Sequence, residues 1–407
     1  MVRDHSSCTF PSSQDLRPQA VFSRRTRAAI DDTHGMTTVL RATDSAAFLG
    51  IVPALAGFTP RRSIVLLPFR GTRTDGAMRL DLPRDGSDLE AYADAAVGLV
   101  ARVDGTDAVA VVVYTDDEPH ATRDGLVLPH AVAVDEVLGC AEDAGLRVVD
   151  ALCVTPSGWS SYLDQEPELG SLQQIRIPPD LTAQCPVAGD QSAGVELPVV
   201  DLVAKERVGR AVVELSDLLD QPEKGRLTGR ENPQLIAALV LLEDIPAFFE
   251  SVLAAPDDLP PFATATLLWC LAQPLLRDVA IAQWATDLSG GICALTAQTA
   301  FAASREVFPD DLGQVFLGRG PRPEPDRLLQ ALSVVRAAAA RAPRSARPAP
   351  LTAAAWLSWA LGRATHSGRY LEMVREIDPH YSLAALLEAM IADAMLPEWA
   401  FRRGPAR

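Results

Sequence analysis

The feature that most constrains the fold is an uninterrupted apolar run at Ala108–Tyr114, AVAVVVY. A β-branched run with no polar position on either face is typical of a strand that helices bury on both sides. An amphipathic segment, Pro129–Ala144, follows it, ends at Gly145, and leads into a second apolar run, Leu146–Val154. This order of strand, helix and strand predicts a βαβ unit with parallel pairing and a right-handed crossover.

The elements predicted upstream of this unit complete an α/β domain over residues 36–163. They are a short strand, two helices and a hairpin of two strands: Thr37–Arg41, Asp44–Ala56, Asp88–Arg102, and Ser63–Phe69 with Ala77–Leu82. Because a hairpin is antiparallel and a βαβ unit is parallel, we expect a mixed, partly parallel sheet.

The second half of the chain reads as helical. Residues 164–198 are rich in proline and lack periodicity, which predicts an irregular linker. Apolar residues then recur at steps of three and four, which predicts an all-α domain over residues 199–400. Near its end, Asp378 and Pro379 join two helical segments as in one unit of a tetratricopeptide repeat. A stable array needs about three such units, so the domain is predicted to be repeat-like rather than a repeat array.

The first 35 residues lack apolar periodicity and are predicted to be a disordered extension. Three arginines at positions 24, 25 and 27 have no apolar segment after them, which argues against a secretory signal. Met36 is an alternative start to Met1. No apolar run approaches the roughly 18 residues that span a bilayer, so we expect a cytoplasmic protein that does not enter the membrane.

Charge and cysteine content narrow the partners. The net charge of −16 disfavours contact with the phosphates of nucleic acids. The six cysteines form no CxxC pair, which favours reduced thiols in a reducing compartment.

Several segments occur in an order that resembles one protein family. They are TVLRATDSAAFLGIVPALAGFTPRRSIVLLPF with MRLDLP, then VVVYTDD and GWSSYL, then LLRDVAIAQW and DPHYSLAALLEAMIADAMLP. These segments are similar to the actinobacterial domain-of-unknown-function family numbered 4192, and the resemblance extends from about Met36 to Pro397. The chain departs from that family at Asp164–Gly170, where many relatives have cysteines and prolines, and at Gly362–Gly368. The resemblance implies no activity.

No catalytic or cofactor motif is found, and the sequence therefore predicts no catalytic residue, no metal site and no identified cofactor. The best candidate for a ligand is Asp116 with Asp117, directly after the predicted buried strand. Ligands of open α/β sheets bind beyond the carboxyl ends of the strands, where carboxylates bind Mg²⁺ or a ribose hydroxyl. The alternative is a solvated acidic turn.

Three further candidates follow the second strand of the βαβ unit: Trp159, Ser161 and Tyr162. Since the two strands are predicted to be parallel neighbours, their loops should meet at one edge of the sheet. The alternative is an aromatic lid over the core, with its polar atoms satisfied internally. Ser160 would act as a nucleophile only if His120 or His130 lay beside it.

Two functions of different classes remain open. The first is a non-enzymatic, partner-binding or regulatory protein that contacts another protein through its helical domain. The second is a small-ligand or nucleotide-binding α/β domain, and possibly an enzyme, with its site at the carboxyl edge of the sheet. A deep polar cavity between the two loops would favour the second, and an exposed apolar groove on the helices would favour the first.

Overall fold

A computed structural model describes residues 26–31, 37–74, 76–123, 125–177, 187, 189–220, 232–255, 259–304, 310–392 and 395–402. The chain forms two compact units, which divide between Asp190 and Gln191. The boundaries expected from the sequence, at residues 163 and 199, stay a prediction.

The first unit contains the strands. They are β1 (Thr26–Asp31), β2 (Thr37–Ala42), β3 (Ser63–Phe69), β4 (Arg73–Thr74), β5 (Met78–Asp81), β6 (Ala108–Tyr114), β7 (His120–Thr122), β8 (Gly125–Val127), β9 (Arg147–Thr155) and β10 (Gly158–Ser161). Its helices are α1 (Ser45–Ala56), α2 (Leu89–Ala101) and α3 (Ala131–Asp143).

The main sheet has five strands in the order β10–β9–β6–β3–β5. β6 and β9 are parallel and are joined through α3, whereas β3 is antiparallel to both β6 and β5. The predicted mixed sheet, with its βαβ unit and its hairpin, is therefore confirmed. The register of β6 against β9 shifts by one residue after Val109, opposite Val149 and Asp150.

Helices cover both faces of this sheet, which explains why β6 is apolar throughout. On one face α1 packs Phe48 and Val52 against residues such as Val112. On the other face α2 and α3 pack Val100 and Val137 against residues of β3, β6 and β9. This arrangement buries the side chains of alternate residues in two separate cores.

The prediction of a loop at Gly158–Tyr162 is wrong for most of these residues, because Gly158–Ser161 form strand β10. β10 turns back on β9 and pairs with it in antiparallel register, Trp159 opposite Val154. The reversal is stabilised by the Thr155 hydroxyl, which donates to the Gly158 carbonyl at 3.0 Å. A four-residue strand after so tight a turn offers too short a pattern for sequence periodicity to identify.

A second, three-stranded sheet has the order β2–β1–β4. Its β1, at Thr26–Asp31, lies within the N-terminal extension that the sequence predicts to be disordered. β1 pairs with β2 in antiparallel register and with β4 in parallel register. Residues 1–25 and 32–36 lie outside the described residues, and there the expected disorder stays a prediction.

The second unit is helical, as predicted. Its described helices are α4 (Leu202–Leu219), α5 (Pro233–Leu241), α6 (Ile245–Ser251), α7 (Pro261–Ala272), α8 (Pro274–Ala285), α9 (Leu288–Ser304), α10 (Asp310–Phe316), α11 (Pro325–Arg341), α12 (Pro348–Ala360), α13 (Ala364–Arg375) and α14 (Ser382–Ala392). The core of this unit surrounds α12, whose thirteen residues are all buried. Trp356 and Trp359 of α12 pack against each other there, and Trp359 also packs against Trp399.

No single helix among the described residues is long and apolar enough to cross a membrane. The successive helices α7 and α8 reach the required length and composition only as a pair, and they meet at an angle of 105°. Most of their residues are buried in the core of the helical unit.

Candidate functional site

The carboxyl ends of β6 and β9 lie side by side at one edge of the main sheet. The backbone N–H of Thr115, just after β6, donates to the carbonyl of Val154 at 3.0 Å. The loops that follow also meet, since the Ser157 hydroxyl donates to the carboxylate of Glu118 at 2.6 Å. The sheet thus brings the two predicted loops to one edge, as expected from parallel strands.

A threonine, an aspartate and a histidine form a hydrogen-bonded cluster at this edge. The Nε2 atom of His130 lies 3.2 Å from a carboxylate oxygen of Asp117 and 3.4 Å from the Thr115 hydroxyl. The Thr115 hydroxyl donates to Asp117 at 3.2 Å and accepts from the Asp117 backbone N–H at 3.0 Å. We call these three residues the edge cluster. Asp117 was among the candidates predicted from the sequence. His130 joins it because the fold places the start of α3, where His130 lies, next to the end of β6.

Asp116 lies beside the edge cluster but faces another partner. Its carboxylate is 3.6 Å from the guanidinium of Arg61, which precedes β3, and both side chains are more than half exposed. An ion pair this exposed contributes little to stability. The arrangement fits the solvated acidic turn as well as it fits a ligand site.

Backbone strain also concentrates at this edge. Arg62 and His130 are the two non-glycine residues with positive φ among the described residues, at 46° and 57°. Side chains are disfavoured in this left-handed region, and residues held there often belong to functional sites. Both flank the carboxyl end of β6, because the start of β3 pairs with the end of β6.

Trp159 lies on the opposite face of the sheet, in the core that α1 covers. Its backbone exchanges hydrogen bonds with Gly170 in both directions, at 3.0 and 2.8 Å. Its indole N–H donates to the side chain of Gln174 at 3.2 Å. A Cβ atom on Gly170 would lie 2.6 Å from the indole ring, so glycine is required for this contact. Trp159 is therefore held by the segment that follows β10, and not beside Asp117.

A shallow hollow of about 510 Å³ adjoins this tryptophan. It is lined by Asp44, Ser45, Ala46, Trp159, Gln174 and Arg176. Neither Asp116 nor Asp117 lines it. This hollow therefore does not join the two predicted loops.

The polar atoms of Ser161 and Tyr162 are used within the core. The Ser161 hydroxyl donates to the Ala151 carbonyl at 3.4 Å and accepts from the Leu163 N–H at 3.2 Å. The Tyr162 hydroxyl donates to the Pro129 carbonyl at 2.6 Å, and burial raises the pKa of this phenol. These contacts match the alternative reading of an aromatic lid with internally satisfied polar atoms.

Two further polar residues of this unit are buried: Ser160, which the sequence suggested as a nucleophile only if a histidine lay beside it, and Asp150, which the sequence analysis did not single out. Ser160 is buried, and its hydroxyl has no hydrogen-bond partner among the described residues, so no histidine activates it. Asp150 is 2% exposed, accepts a hydrogen bond from the Ser45 hydroxyl at 2.9 Å, and has its pKa raised to about 6 by burial. The sequence feature that could have identified Asp150 is the single acidic residue within the otherwise apolar centre of RVVDALCVT. Within the described part of the chain, no group of three or more histidine, cysteine or acidic side chains is arranged to hold a metal ion.

The helical unit presents an exposed apolar stripe on α4 and the residues before it. Val199, Leu202, Val203 and Val213 are 104%, 81%, 54% and 58% exposed. A groove of about 410 Å³ runs beside Val213 and is lined by Glu206, Gly209, Arg210, Val213 and Glu214. We call these residues of α4 and its approach the α4 surface.

The fold defines a class of protein: a unit with a mixed β-sheet covered by helices, followed by a helical unit. The model of the family described as Domain of unknown function (DUF4192) matches residues 46–306, and the chain belongs to that family. The match extends from α1 to just beyond α9 and confirms the family that the sequence resembles, whereas the resemblance from there to Pro397 stays a prediction. No curated protein and no solved structure matches the chain.

Proposed function

We propose that this protein is a non-enzymatic binding protein that docks another protein on the α4 surface. The observation that carries the proposal is the exposure of Leu202, Val203 and Val213 on one helix. Single exposed apolar residues are ordinary on protein surfaces. Leu202 and Val203 are adjacent at the start of α4, and Val213 lies further along the same helix beside the groove. Exposed apolar residues grouped on one element are typical of an interaction site.

The spacing of residues on α4 supports a linear contact. Leu202, Glu206, Gly209 and Val213 follow one another at steps of four, three and four, which places them along one side of the helix. The opposite side packs into the core through Val208, Ala211 and Leu215. α4 therefore has two apolar residues, Leu202 and Val213, on its outer side in addition to the inner side that its own fold needs.

Charge defines the class of partner. Glu206 and Arg210 form an ion pair at 3.2 Å along α4, and both line the groove together with Glu214, one turn further on. The chain as a whole carries a net charge of −16, which accelerates association with a positively charged partner. The proposed partner contributes an amphipathic helix with apolar anchors and a basic rim, a common mode of recognition in grooves.

The same proposal places the protein in the cytoplasm. The described cysteines, Cys140, Cys153, Cys270 and Cys293, are all free thiols. Burial raises the pKa of Cys153 to about 11 and that of Cys270 to about 12, which keeps these thiols protonated and inert. Unpaired buried thiols fit a reducing compartment.

Quantitative affinity capture from the native cells tests the proposal. Wild-type protein is compared with L202E and V213E, and with the control V132E, which alters a valine of α3 that is equally exposed to solvent. We expect one protein to be enriched by the wild type and by V132E but lost with L202E and V213E. An identical set of captured proteins from all four baits would contradict the proposal.

A second candidate function is the binding of a small ligand at the edge cluster. The observation that favours it is that His130 has a strained backbone with positive φ and also contacts the carboxylate of Asp117. Asp117 and His130 would then bind the polar group of a nucleotide, directly or through Mg²⁺. Thermal unfolding with ATP, with and without Mg²⁺, tests this for the wild type and for D117N. A rise in Tm that D117N abolishes is expected if the site binds a nucleotide, and an unchanged Tm excludes it.

A further inference from the structure

A cluster of hydrogen-bond donors lies in the helical unit and shares no residue with the α4 surface. Arg363, His366 and Tyr370 are spaced by three and four residues, so they line one side of α13 and its approach. The same group includes Arg336 of α11 and Glu196, because the charges of both act on His366 and on Tyr370. α12 packs between α11 and α13 and fixes their separation.

The guanidinium of Arg336 is held by two hydrogen bonds, but one of its N–H donors has no acceptor within the part of the chain that the structure describes. Its Nη2 atom donates to the carbonyls of Gly194 and Glu196, at 2.7 and 2.6 Å. Its Nε atom is buried and has no acceptor among the described residues. Since arginine presents its N–H groups in one plane, this side chain holds a free donor in a fixed direction.

Tyr370 supplies a second donor without an acceptor. The residue is 0% exposed, and its hydroxyl has no hydrogen-bond partner in the described part of the chain. A buried hydroxyl is normally paired, and each exception needs an explanation. Burial raises the pKa of Tyr370, while the charges of Arg336 and Arg363 oppose the rise, so the phenol stays protonated as a donor next to two cations.

The charge of the cluster is positive. The guanidinium of Arg363 makes no hydrogen bond or ion pair with the described residues, and burial lowers the pKa of this group although part of the residue reaches the surface. Burial also lowers the pKa of His366, as do the two arginines, so the imidazole is neutral at pH 7. Among the described residues whose charges act on Tyr370, the two arginines Arg336 and Arg363 outnumber the one carboxylate, Glu196.

We propose that this cluster binds an oxyanion, the phosphate or carboxylate group of a small molecule. The Nε atom of Arg336, the guanidinium of Arg363 and the hydroxyl of Tyr370 would be its donors. Arginine forks match both anions in geometry and charge. The N-terminus of α13 adds to the attraction, because the side chain of its N-cap residue, Arg363, has no acceptor atom and leaves the backbone N–H groups of the first turn uncapped. The proposal is independent of the α4 surface.

Isothermal titration calorimetry of the full chain tests this site with inorganic phosphate in one arm and succinate in the other, at constant ionic strength. We expect saturable binding of at least one anion, weakened about tenfold or more by R363Q. The matched control R369Q alters an exposed arginine of the same helix, paired with Glu372, and should leave the affinity unchanged. The anion that binds more tightly identifies the chemical group.

Y370F keeps the buried ring and removes only the unpaired hydroxyl. We expect it to raise the Tm of the ligand-free protein, since a desolvated hydroxyl is lost, and to weaken anion binding several-fold. The proposal is overturned if neither anion binds saturably, or if R363Q and Y370F bind the anion as tightly as the wild type.

Discussion

The buried carboxyl group of Asp150 is the most constrained acidic side chain of the first unit. It lies where β9 shifts its register against β6 and accepts hydrogen bonds from the Ser45 hydroxyl and the Ala151 N–H. Burial outweighs both hydrogen bonds and raises its pKa from 3.8 to about 6. The folded protein therefore holds a proton between pH 4 and 6 that the unfolded chain has released.

This shift predicts a pH dependence of stability. Because the folded state binds the extra proton, the free energy of unfolding should fall as the pH rises from 4 to 6 and then level off. D150N keeps an oxygen that accepts from Ser45 and removes the charge, so it should stabilise the protein at pH 7.5 by about 1–3 kcal/mol. Denaturant unfolding of the wild type, D150N and the exposed-site control D135N at four pH values measures this. A steeper decline in D150N than in the wild type contradicts it.

Two glycines in helices offer a matched pair of substitutions. A Cβ atom on Gly50 of α1 would lie 2.2 Å from the carbonyl oxygen of Arg176, whereas Gly98 of α2 has open space around it. G50A should destabilise the protein by about 1–3 kcal/mol through overpacking. G98A should stabilise it by about 0.5–1 kcal/mol, since alanine is the better helix former. Equal effects of G50A and G98A on the urea midpoint would show that Arg176 does not pack against α1.

The residues of the candidate site were only partly predictable. The rule that parallel strands share an edge was sufficient to bring the loop of Asp117 next to that of Ser157. The directions of the side chains could not be predicted, because Trp159 lies on β10, and the register of β10 depends on a turn that the sequence analysis did not identify. His130, the partner of Asp117, and Ser45, the partner of Asp150, lie on other elements. The spacing of residues in the sequence does not reveal contacts between separate elements.

Elements with long, clear patterns were predictable, and short ones were not. β3, β6, β9 and the helices between them follow from burial on both faces and from caps that the sequence displays. β4, β7 and β8 have two or three residues each, too few for a period of two to appear. The exposure of α4 was not predictable either, since its stripe of apolar residues resembles that of a helix packed on one side.

The cap of α1 gives a prediction at the scale of an element. The carboxylate of Asp44 accepts from the backbone N–H of Ala47 at 2.8 Å and satisfies one of the free donors at the helix start. D44A should lower the free energy of unfolding by about 1 kcal/mol, and D44N should restore most of it. Chemical denaturation of the three proteins measures the difference. If D44A is as stable as the wild type, this hydrogen bond does not stabilise α1.

At the scale of the whole molecule, the chain is expected to behave as two folded pieces. The segment after β10 is tied to the first unit through Gly170 and Gln174, and again at Gly189, whose carbonyl accepts from the backbone N–H of Thr59 at 2.9 Å. A protease of broad specificity should therefore cut first between Ile177 and Asp201 and release two stable fragments. Mass spectrometry of early products identifies the sites. First cuts within Ala108–Thr155 would contradict the division.

The central claim is that the α4 surface, and not the face of α3, contacts another protein. Site-specific photo-crosslinking in the native cells tests it directly, with a photoreactive residue at position 213 of α4 or at position 132 of α3. Both valines are exposed and both lie on helices, so the two probes have equal access to solvent. We expect one discrete adduct with a different protein when the photoreactive residue is at position 213, and no adduct when it is at position 132. Adducts of equal size and yield from both positions, or an adduct with a second copy of this chain alone, would contradict it.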